Sequence, residues 1–176
     1  MSNQTWTGVV VLLLMLGAGP ALAETCYPES IPASTPDSQL QDNGDGTITD
    51  TKTGLIWKRC LEGQSGSDCA SGSAEAFTWQ QALQRAQTVN SGGGFAGASV
   101  WRVPTIKELR SLVEQQCADP AINLTRFPNP GSDFVWSSSA VAGVTNDAWG
   151  VGFSYGGTSW SNKDDGGQLR LVRSGQ

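Results

Sequence analysis

The apolar and polar positions between residues 40 and 60 alternate in short segments that Gly- and Asp-rich turns interrupt. This pattern predicts strands over 47–49 and 55–58, because alternation with a period of two is typical of a half-buried strand. The turn at 51–54 joins the two strands as a hairpin, and another turn at 42–46 precedes the first of them.

Two helices follow, and each begins with a capping box. Thr78 and Thr105 each stand three residues before a Gln or a Glu, the spacing at which side chain and backbone cap each other. Apolar residues then recur at helical spacing. The sequence therefore predicts helices over 79–90 and 106–116.

The segment after Pro130 returns to strand-like alternation and tight turns. Gly-rich turns at 156–157 and 164–167 are expected to connect the last three strands as hairpins. A hairpin, two helices and then a meander predict an α+β fold with a mainly antiparallel sheet. The four predicted strands of this half are 134–139, 148–155, 158–163 and 168–173.

The first residues predict export. An apolar run at 9–16 is too short to span a bilayer, and helix breakers and the small-residue site Ala21–Leu22–Ala23 follow it. We expect a signal peptide at 1–23, cleaved after Ala23, and a periplasmic, secreted or cell-surface product. No other stretch is apolar and long enough to span a membrane. Residues 24–38 are rich in Pro and Ser and predict an extended arm, which leaves one domain at 39–176.

Four cysteines follow the predicted signal peptide, and an even count in an oxidising compartment indicates disulfides. Three pairings are possible. Cys60 and Cys69 flank a short polar loop, so we expect them to pair, which leaves Cys26 with Cys117. A zinc site is the alternative, but the chain has no C-x-x-C pair and no His.

Composition narrows the function. The formal net charge of −5 disfavours nucleic acid as a partner, because phosphate binding requires a cationic surface. Without His, neither a Ser–His nor a Cys–His nucleophile can form. With 22 Gly and seven Trp, the chain has the composition of a loop-rich domain with aromatic residues in its core.

Five ordered segments carry a family resemblance. They strongly resemble the domain at the C-terminus of the Legionella collagen-like adhesin, over about residues 40–174. That resemblance implies surface or envelope binding, with glycan recognition in the namesake. The block Trp-Arg-Val-Pro-Thr-x-x-Glu-Leu is also similar to one in formylglycine-generating-enzyme-like domains, which implies a C-type-lectin-like fold. The five segments are 42–60, 77–87, 101–113, 135–139 and 148–173.

The chain departs from these families in ways that limit what is carried over. It lacks the collagen-like stalk, and its acidic charge gives little support to the sulfated polysaccharides for which the adhesin needs a basic surface. The Glu-Pro-Asn sugar motif of calcium-dependent lectins is absent. No Cys follows Cys117, so formylglycine-generating activity is not expected.

Aromatic and polar residues of the last strands are the candidate ligand contacts. Stacking on a sugar ring is assigned to Trp149, Tyr155 and Trp160, and the best candidates are Trp149 and Trp160, which lies in a polar strand one turn after Tyr155. Trp57, Trp79 and Trp101 stand among apolar neighbours and are predicted to belong to the core. Hydrogen bonds to a ligand are assigned to Asn146, Asp147, Asn162, Asp164 and Asp165.

Calcium is considered but not predicted. Asp42, Asn43, Asp45 and Asp50 form an oxygen-rich segment, yet the EF-hand pattern fails at the positions before and after it. A Gly-rich hairpin turn explains the same residues. The turn around Asp164 has the same two interpretations, and a cation shared between the two loops is left open.

Four charged positions are assigned structural roles. Glu108 is expected to close its capping box while Arg102 pairs with a carboxylate or with backbone carbonyls. Arg170 and Arg173 are expected to be ion-pair partners or exposed sheet positions.

The sequence therefore predicts a non-catalytic recognition domain for a glycan or a protein ligand. A structural or assembly subunit of a surface complex is the second hypothesis. A hydrolase, which would need two close carboxylates, is the third.

Overall fold

The computed structural model describes residues 24–131 and 134–175. The predicted signal peptide and its cleavage site after Ala23 lie outside the described residues. Of the helices in the described ranges, none is long and apolar enough to span a membrane.

The first sheet is antiparallel and contains the predicted hairpin. The turn at 51–54 joins its two central strands, β3 and β4, as expected, with Ile48 opposite Trp57. The strand order is β11-β4-β3-β2. Its members are β2 (Leu40–Asp42), β3 (Thr47–Asp50), β4 (Leu55–Lys58) and β11 (Val172–Ser174).

The second sheet is a three-stranded antiparallel meander in the order β10-β9-β8, which leaves β10 at an edge. The strands are β8 (Phe134–Ala140), β9 (Asp147–Gly152) and β10 (Gly157–Asn162). Two short antiparallel pairs complete the strand inventory of the described residues. They are β1 (Thr25–Cys26) with β7 (Cys117–Ala118), and β5 (Gln64–Ser65) with β6 (Ser71–Gly72).

Both capping boxes are confirmed. The hydroxyl of Thr78 accepts from the backbone N–H of Gln81 at the start of α1 (Trp79–Ser91). Thr105 and Glu108 cap α2 (Ile106–Arg110) in the same reciprocal way.

The predicted end of the second helix is wrong, since α2 stops at Arg110 and not at 116. Beyond it the chain tightens into turns, with the N–H of Val113 donating to the carbonyl of Arg110. Val113 then bridges Ile122, and the N–H of Glu114 donates to the carbonyl of Ala121. The apolar residues after Arg110 are buried by this turn and not by a longer helix.

The last predicted hairpin is also wrong. The segment after β10 leaves the second sheet, and β11 pairs with β4 in the first. On the way Gln168 makes a parallel bridge to Val135, and Val172 bridges Arg102. The final segment therefore links the two sheets, where the sequence predicted one continuous meander.

The two helices cover opposite faces of the second sheet. Val135 and Val151 pack in one buried cluster with Leu109 of α2. Trp136 and Ala148 pack in the other with Ala82 of α1 and with Trp101. Adjacent residues of a strand point to opposite faces, so β8 and β9 each supply both clusters.

The prediction that Arg170 is an ion-pair partner or an exposed sheet position is wrong. It is 1% exposed, lies over the ring of Phe127 at 4.8 Å and donates to the carbonyls of Lys58 and Arg59. Arg173 is half-buried over the ring of Trp101. Neither arginine belongs to an ion pair within the described part of the chain.

Both predicted disulfides are present, Cys26–Cys117 and Cys60–Cys69, and no cysteine in the described residues is free. The first ties the N-terminal arm to the end of the helical region. Buried Glu114 holds the same arm, because its carboxylate accepts from the backbone N–H and the hydroxyl of both Ser34 and Thr35. The fold is α+β with mainly antiparallel sheets, as predicted.

Candidate functional site

The hairpin of β9 and β10 carries most of the predicted ligand contacts. Its register is regular, with Trp149 opposite Trp160 and Asp147 opposite Asn162. Positions two apart on a strand share a face, so these two cross-strand pairs lie side by side, about 7 Å apart along the strands. An aromatic pair therefore stands next to a polar pair on one face of the sheet.

Trp160 is a large aromatic side chain that remains 60% exposed. Its ring centroid lies 5.4 Å from that of half-buried Trp149, with the ring planes at 82°. This edge-to-face contact is a favoured aromatic geometry, and cross-strand aromatic pairs stabilise a sheet. Trp149 thus orients Trp160 while much of the Trp160 ring remains open to solvent.

A small cavity of about 260 Å³ opens where β10 ends. The backbone N–H of Trp79 donates to the carbonyl of Lys163, and the Trp79 indole N–H donates to the carbonyl of Ser137, so α1 begins against this turn. The cavity wall combines one aromatic ring with amide and charged groups: Trp79, Gln80, Asn146, Asn162, Lys163 and Asp164.

Lys163 connects the elements that line the cavity. Its Nζ donates to the carbonyl of Thr145 at 2.6 Å and lies 4.6 Å from the Trp79 ring centroid. Its backbone N–H donates to the carbonyl of Asn146 at 2.7 Å. The sequence pattern does not indicate Lys163 or Gln80 as site residues, and it predicts Trp79 in the core. Trp79 is in fact half-buried. Its place directly after a helix cap was the available signal, because the first turn of a helix often reaches the surface.

The structure brings six of the eight predicted residues to the open half of the hairpin, where Asp147, Trp149, Trp160 and Asn162 share one face. Asn146 and Asp164 lie just beyond the strand ends, at the cavity. We call Asn146, Asp147, Trp149, Trp160, Asn162 and Asp164 the hairpin site. Asp165 lies in the adjacent turn, where its carboxylate accepts from the Ser161 hydroxyl at 2.6 Å. Tyr155 is 78% exposed but sits in the turn at the opposite end, beyond Gly157, which is about 10 Å along β10 from Trp160.

The oxygen-rich turn at 42–46 uses its carboxylates internally. Asp42 accepts from the N–H of Gly44 and pairs with Arg59 at 2.8 Å. Asp45 accepts from both the N–H and the hydroxyl of Thr47. These bonds are those of a hairpin turn. Within the described residues, only Glu24, Cys26 and Cys117 cluster as metal ligands do, and both cysteines are in a disulfide.

The same turn borders the larger cavity, of about 490 Å³. Its other walls are the end of β4, the loop between Cys60 and Cys69, and Phe95. Lys58, which lies over the Phe95 ring at 4.4 Å, pairs with buried Glu62. The cations of this cavity are thereby engaged by carboxylates of the protein.

Arg102 and Glu108 form a two-point ion pair, as the structural interpretation required. Both nitrogen–oxygen distances are 2.7 Å. The hydrogen bond from Arg102 is the main cause that lowers the pKa of Glu108 to about 2, and the hydrogen bond to Glu108 raises the pKa of Arg102. Because Glu108 also caps α2, this pair stabilises the start of that helix.

The structure therefore defines a disulfide-bonded α+β domain with an aromatic and polar hairpin on its surface. The model of the Lcl C-terminal domain family matches residues 46–173, and the chain belongs to that family. The match confirms the resemblance to the Legionella adhesin domain. No curated protein matches the chain.

Proposed function

We propose that this protein is a non-catalytic recognition domain that binds a glycan at the hairpin site. The observation that carries the proposal is Trp160, a mostly exposed ring that is held edge-to-face by Trp149 and stands two residues before Asn162, which lines the polar cavity. The family supports the proposal at a coarser level, as an adhesin-like surface domain.

The chemistry of the hairpin site suits a sugar. The C–H groups of a pyranose ring pack on an aromatic face, while amide and carboxylate groups bind its hydroxyls. Trp160 supplies the aromatic face, and Asn162 and Asp147 lie directly beside it on the same face. Because the hairpin fixes these side chains before binding, less conformational entropy is lost when the ligand binds.

We propose that the protein acts in the periplasm or at the cell surface, after export. The two disulfides support this location, because such bonds persist in oxidising compartments. We also propose that the fold is C-type-lectin-like. Two helices, small antiparallel sheets and long loops support that relation.

The decisive experiment compares Trp160→Ala with Tyr155→Ala on a glycan array. Both residues are exposed aromatics of one hairpin, so the two variants remove similar surface. We expect Trp160→Ala to weaken binding roughly 30-fold, as loss of a binding hot spot worth about 2 kcal/mol does. Tyr155→Ala should retain binding, because Tyr155 lies away from the hairpin site.

Thermal unfolding of both variants controls for folding. Trp160→Ala should keep the melting temperature of the parent within a few degrees. If it binds as the parent does, or loses melting temperature and binding together, the hairpin site is not the glycan site. Arrays run with calcium and again with a chelator test whether glycan binding needs a cation. Recovery of the glycan unchanged after incubation tests whether the protein lacks catalytic activity.

A second candidate function, an assembly subunit of a surface complex, rests on β10. This edge strand has six residues, GTSWSN, without charge or Pro, and so lacks the usual features that prevent pairing between edges. The assembly hypothesis predicts oligomers by light scattering that Ser159→Lys dissociates. A monomer that binds glycan would contradict it.

A further inference from the structure

The hairpin site carries an excess of negative charge. Asp147 and Asp164 belong to it, and Asp165 stands in the adjacent turn. Within the described residues none of these three aspartates forms an ion pair. Lys163 lines the cavity and offsets one of the three negative charges, while the Thr145 carbonyl and the Trp79 ring hold its ammonium group in place.

The carboxylates of Asp147 and Asp164 also keep their hydrogen-bonding capacity. Asp164 donates its backbone N–H to the amide oxygen of Asn162 at 3.0 Å, which orients the residue without using its side chain. No hydrogen bond to either carboxylate occurs in the part of the chain that the structure describes. These oxygens can therefore accept from hydroxyl or ammonium groups of a ligand, through strong charge-assisted bonds.

The hydrogen-bond donors that could bind an anionic ligand are weaker than these carboxylate acceptors. The amide nitrogens of Asn146 and Asn162 are neutral, and Gln80 adds another neutral amide to the cavity wall. An anion placed about 4 Å from one carboxylate is disfavoured roughly fivefold even in water-like surroundings, and two carboxylates add to that penalty. The charge of Lys163 offsets part of this penalty, and the neutral amides do not offset the remainder.

We infer that the glycan bound at the hairpin site is uncharged or carries a free amine, and that sulfated and uronic acid glycans are excluded. This inference rests on the proposed function and names its ligand class. Stacking on Trp160 supplies contact with the sugar ring, whereas Asp147 and Asp164 select by charge. An amine gains attraction, a neutral hydroxyl gains a hydrogen bond, and a sulfate meets repulsion.

The test uses the full disulfide-bonded chain on an array of neutral, amine-bearing, sulfated and uronate-bearing oligosaccharides. The array includes glucosamine oligomers whose amine is free, acetylated or sulfated, so that the charge at one nitrogen substituent goes from positive to neutral to negative on the same sugar backbone. Only glycans whose binding Trp160→Ala abolishes are scored. We expect these to be neutral or amine-bearing, with the free amine bound at least threefold more tightly than its sulfated counterpart in low salt.

Charge variants complete the design. Asp164→Asn and Asp147→Asn should weaken amine-bearing glycans severalfold, and raised salt should reduce the difference from the parent. Glu29→Gln, the same charge change at an exposed residue of the arm, is the matched control and should alter nothing. Trp160-dependent binding of sulfated or uronate glycans would overturn the inference about ligand charge and leave the proposed function standing. Glycan binding that neither aspartate variant changes would do the same. An array without Trp160-dependent binding would overturn the proposed function and this inference with it.

Discussion

Arg102 and Glu108 meet through two parallel hydrogen bonds, each 2.7 Å long, at the first turn of α2. Glu108 also accepts from the backbone N–H of Thr105, so one carboxylate serves an ion pair and a helix cap together. The backbone of Arg102 bridges Val172, which belongs to β11. The pair thereby connects the start of a helix to the final strand.

Glu108→Gln should destabilise the protein in a pH-dependent way. Gln still fits a capping box, so the variant removes mainly the charge. The pKa of Glu108 falls from 4.5 to about 2 on folding, so its stabilisation is complete above pH 4.5 and is lost as the pH falls toward 2. Because Arg102 is 40% exposed, solvent screening limits the loss to about 1 kcal/mol at pH 7.

Urea unfolding of parent and variant at pH 7 and near pH 2 measures this effect. Glu75→Gln, at an exposed position, should match the parent at both values. A difference between parent and Glu108→Gln that stays constant down to pH 2 would show that charge is not its origin.

The helix starts could be predicted because a cap depends on residues three positions apart. Thr78 and Thr105 marked the first residue of each helix correctly. The end of α2 could not be predicted, because Leu112 and Val113 continue the apolar spacing of a helix. Bridging of Val113 to Ile122 and burial of Leu112 compete with helix continuation, and both depend on a segment outside the local pattern.

The final segment shows the same limit at longer range. Its alternation predicted a strand over 168–173, of which the structure forms only the end, as β11 at Val172–Ser174. Nothing local distinguishes pairing with β10 from pairing with β4. Arg170 stands between Leu169 and Leu171, and alternation alone places such a residue on a solvent face. In this fold both faces are covered, so Leu169, Arg170 and Leu171 are all buried.

Arg170→Ala should be among the most destabilising single changes. It leaves a cavity beside Phe127 and removes the donor to the carbonyls of Lys58 and Arg59. We expect a loss of roughly 3–5 kcal/mol in the free energy of unfolding. Arg173→Ala, which removes a half-buried arginine from the same segment, should cost below about 1 kcal/mol. Denaturant titration of both variants checks the contrast, and similar losses would contradict it.

Glu114→Gln should loosen the arm locally. Burial acts to raise the pKa of Glu114, but hydrogen bonds from the backbones of Ser34, Gln116 and Thr35 outweigh it and the pKa is lowered. The charged form therefore holds the arm above about pH 4.5, and the hold weakens as the pH falls below that value. At pH 7 we expect the amides of Ser34 and Thr35 to exchange hydrogen roughly tenfold faster in the variant.

Hydrogen exchange by mass spectrometry checks this prediction segment by segment. Glu29→Gln, in the same arm, should leave the pattern of the parent unchanged. Faster exchange spread over the whole domain, instead of the arm, would mean that Glu114 supports the core and does not act as a local anchor.

The candidate site was predictable in part. Trp160 and Asn162 stand in a polar strand with little apolar alternation, which indicated an exposed edge. The register was not predicted, because a turn at 156–157 would place Tyr155 opposite Thr158, whereas the structure turns at 153–156 and pairs Gly152 with Gly157. The contribution of α1 was not predictable. Trp79 and Gln80 reach the cavity only because the start of α1 packs on the turn at Lys163, more than 80 residues later in the chain.

The order of strands in the first sheet also bears on how this domain can be joined to others. Leu40 begins β2 and Ser174 ends β11, and the register places both in one row with Asp50 and Leu55. The chain thus enters and leaves on the same side of the sheet, three strand spacings or about 14 Å apart. A domain with such neighbouring ends can be inserted into a loop of a host protein with little distortion. Its hairpin, carried on the other sheet, would remain free to contact a ligand.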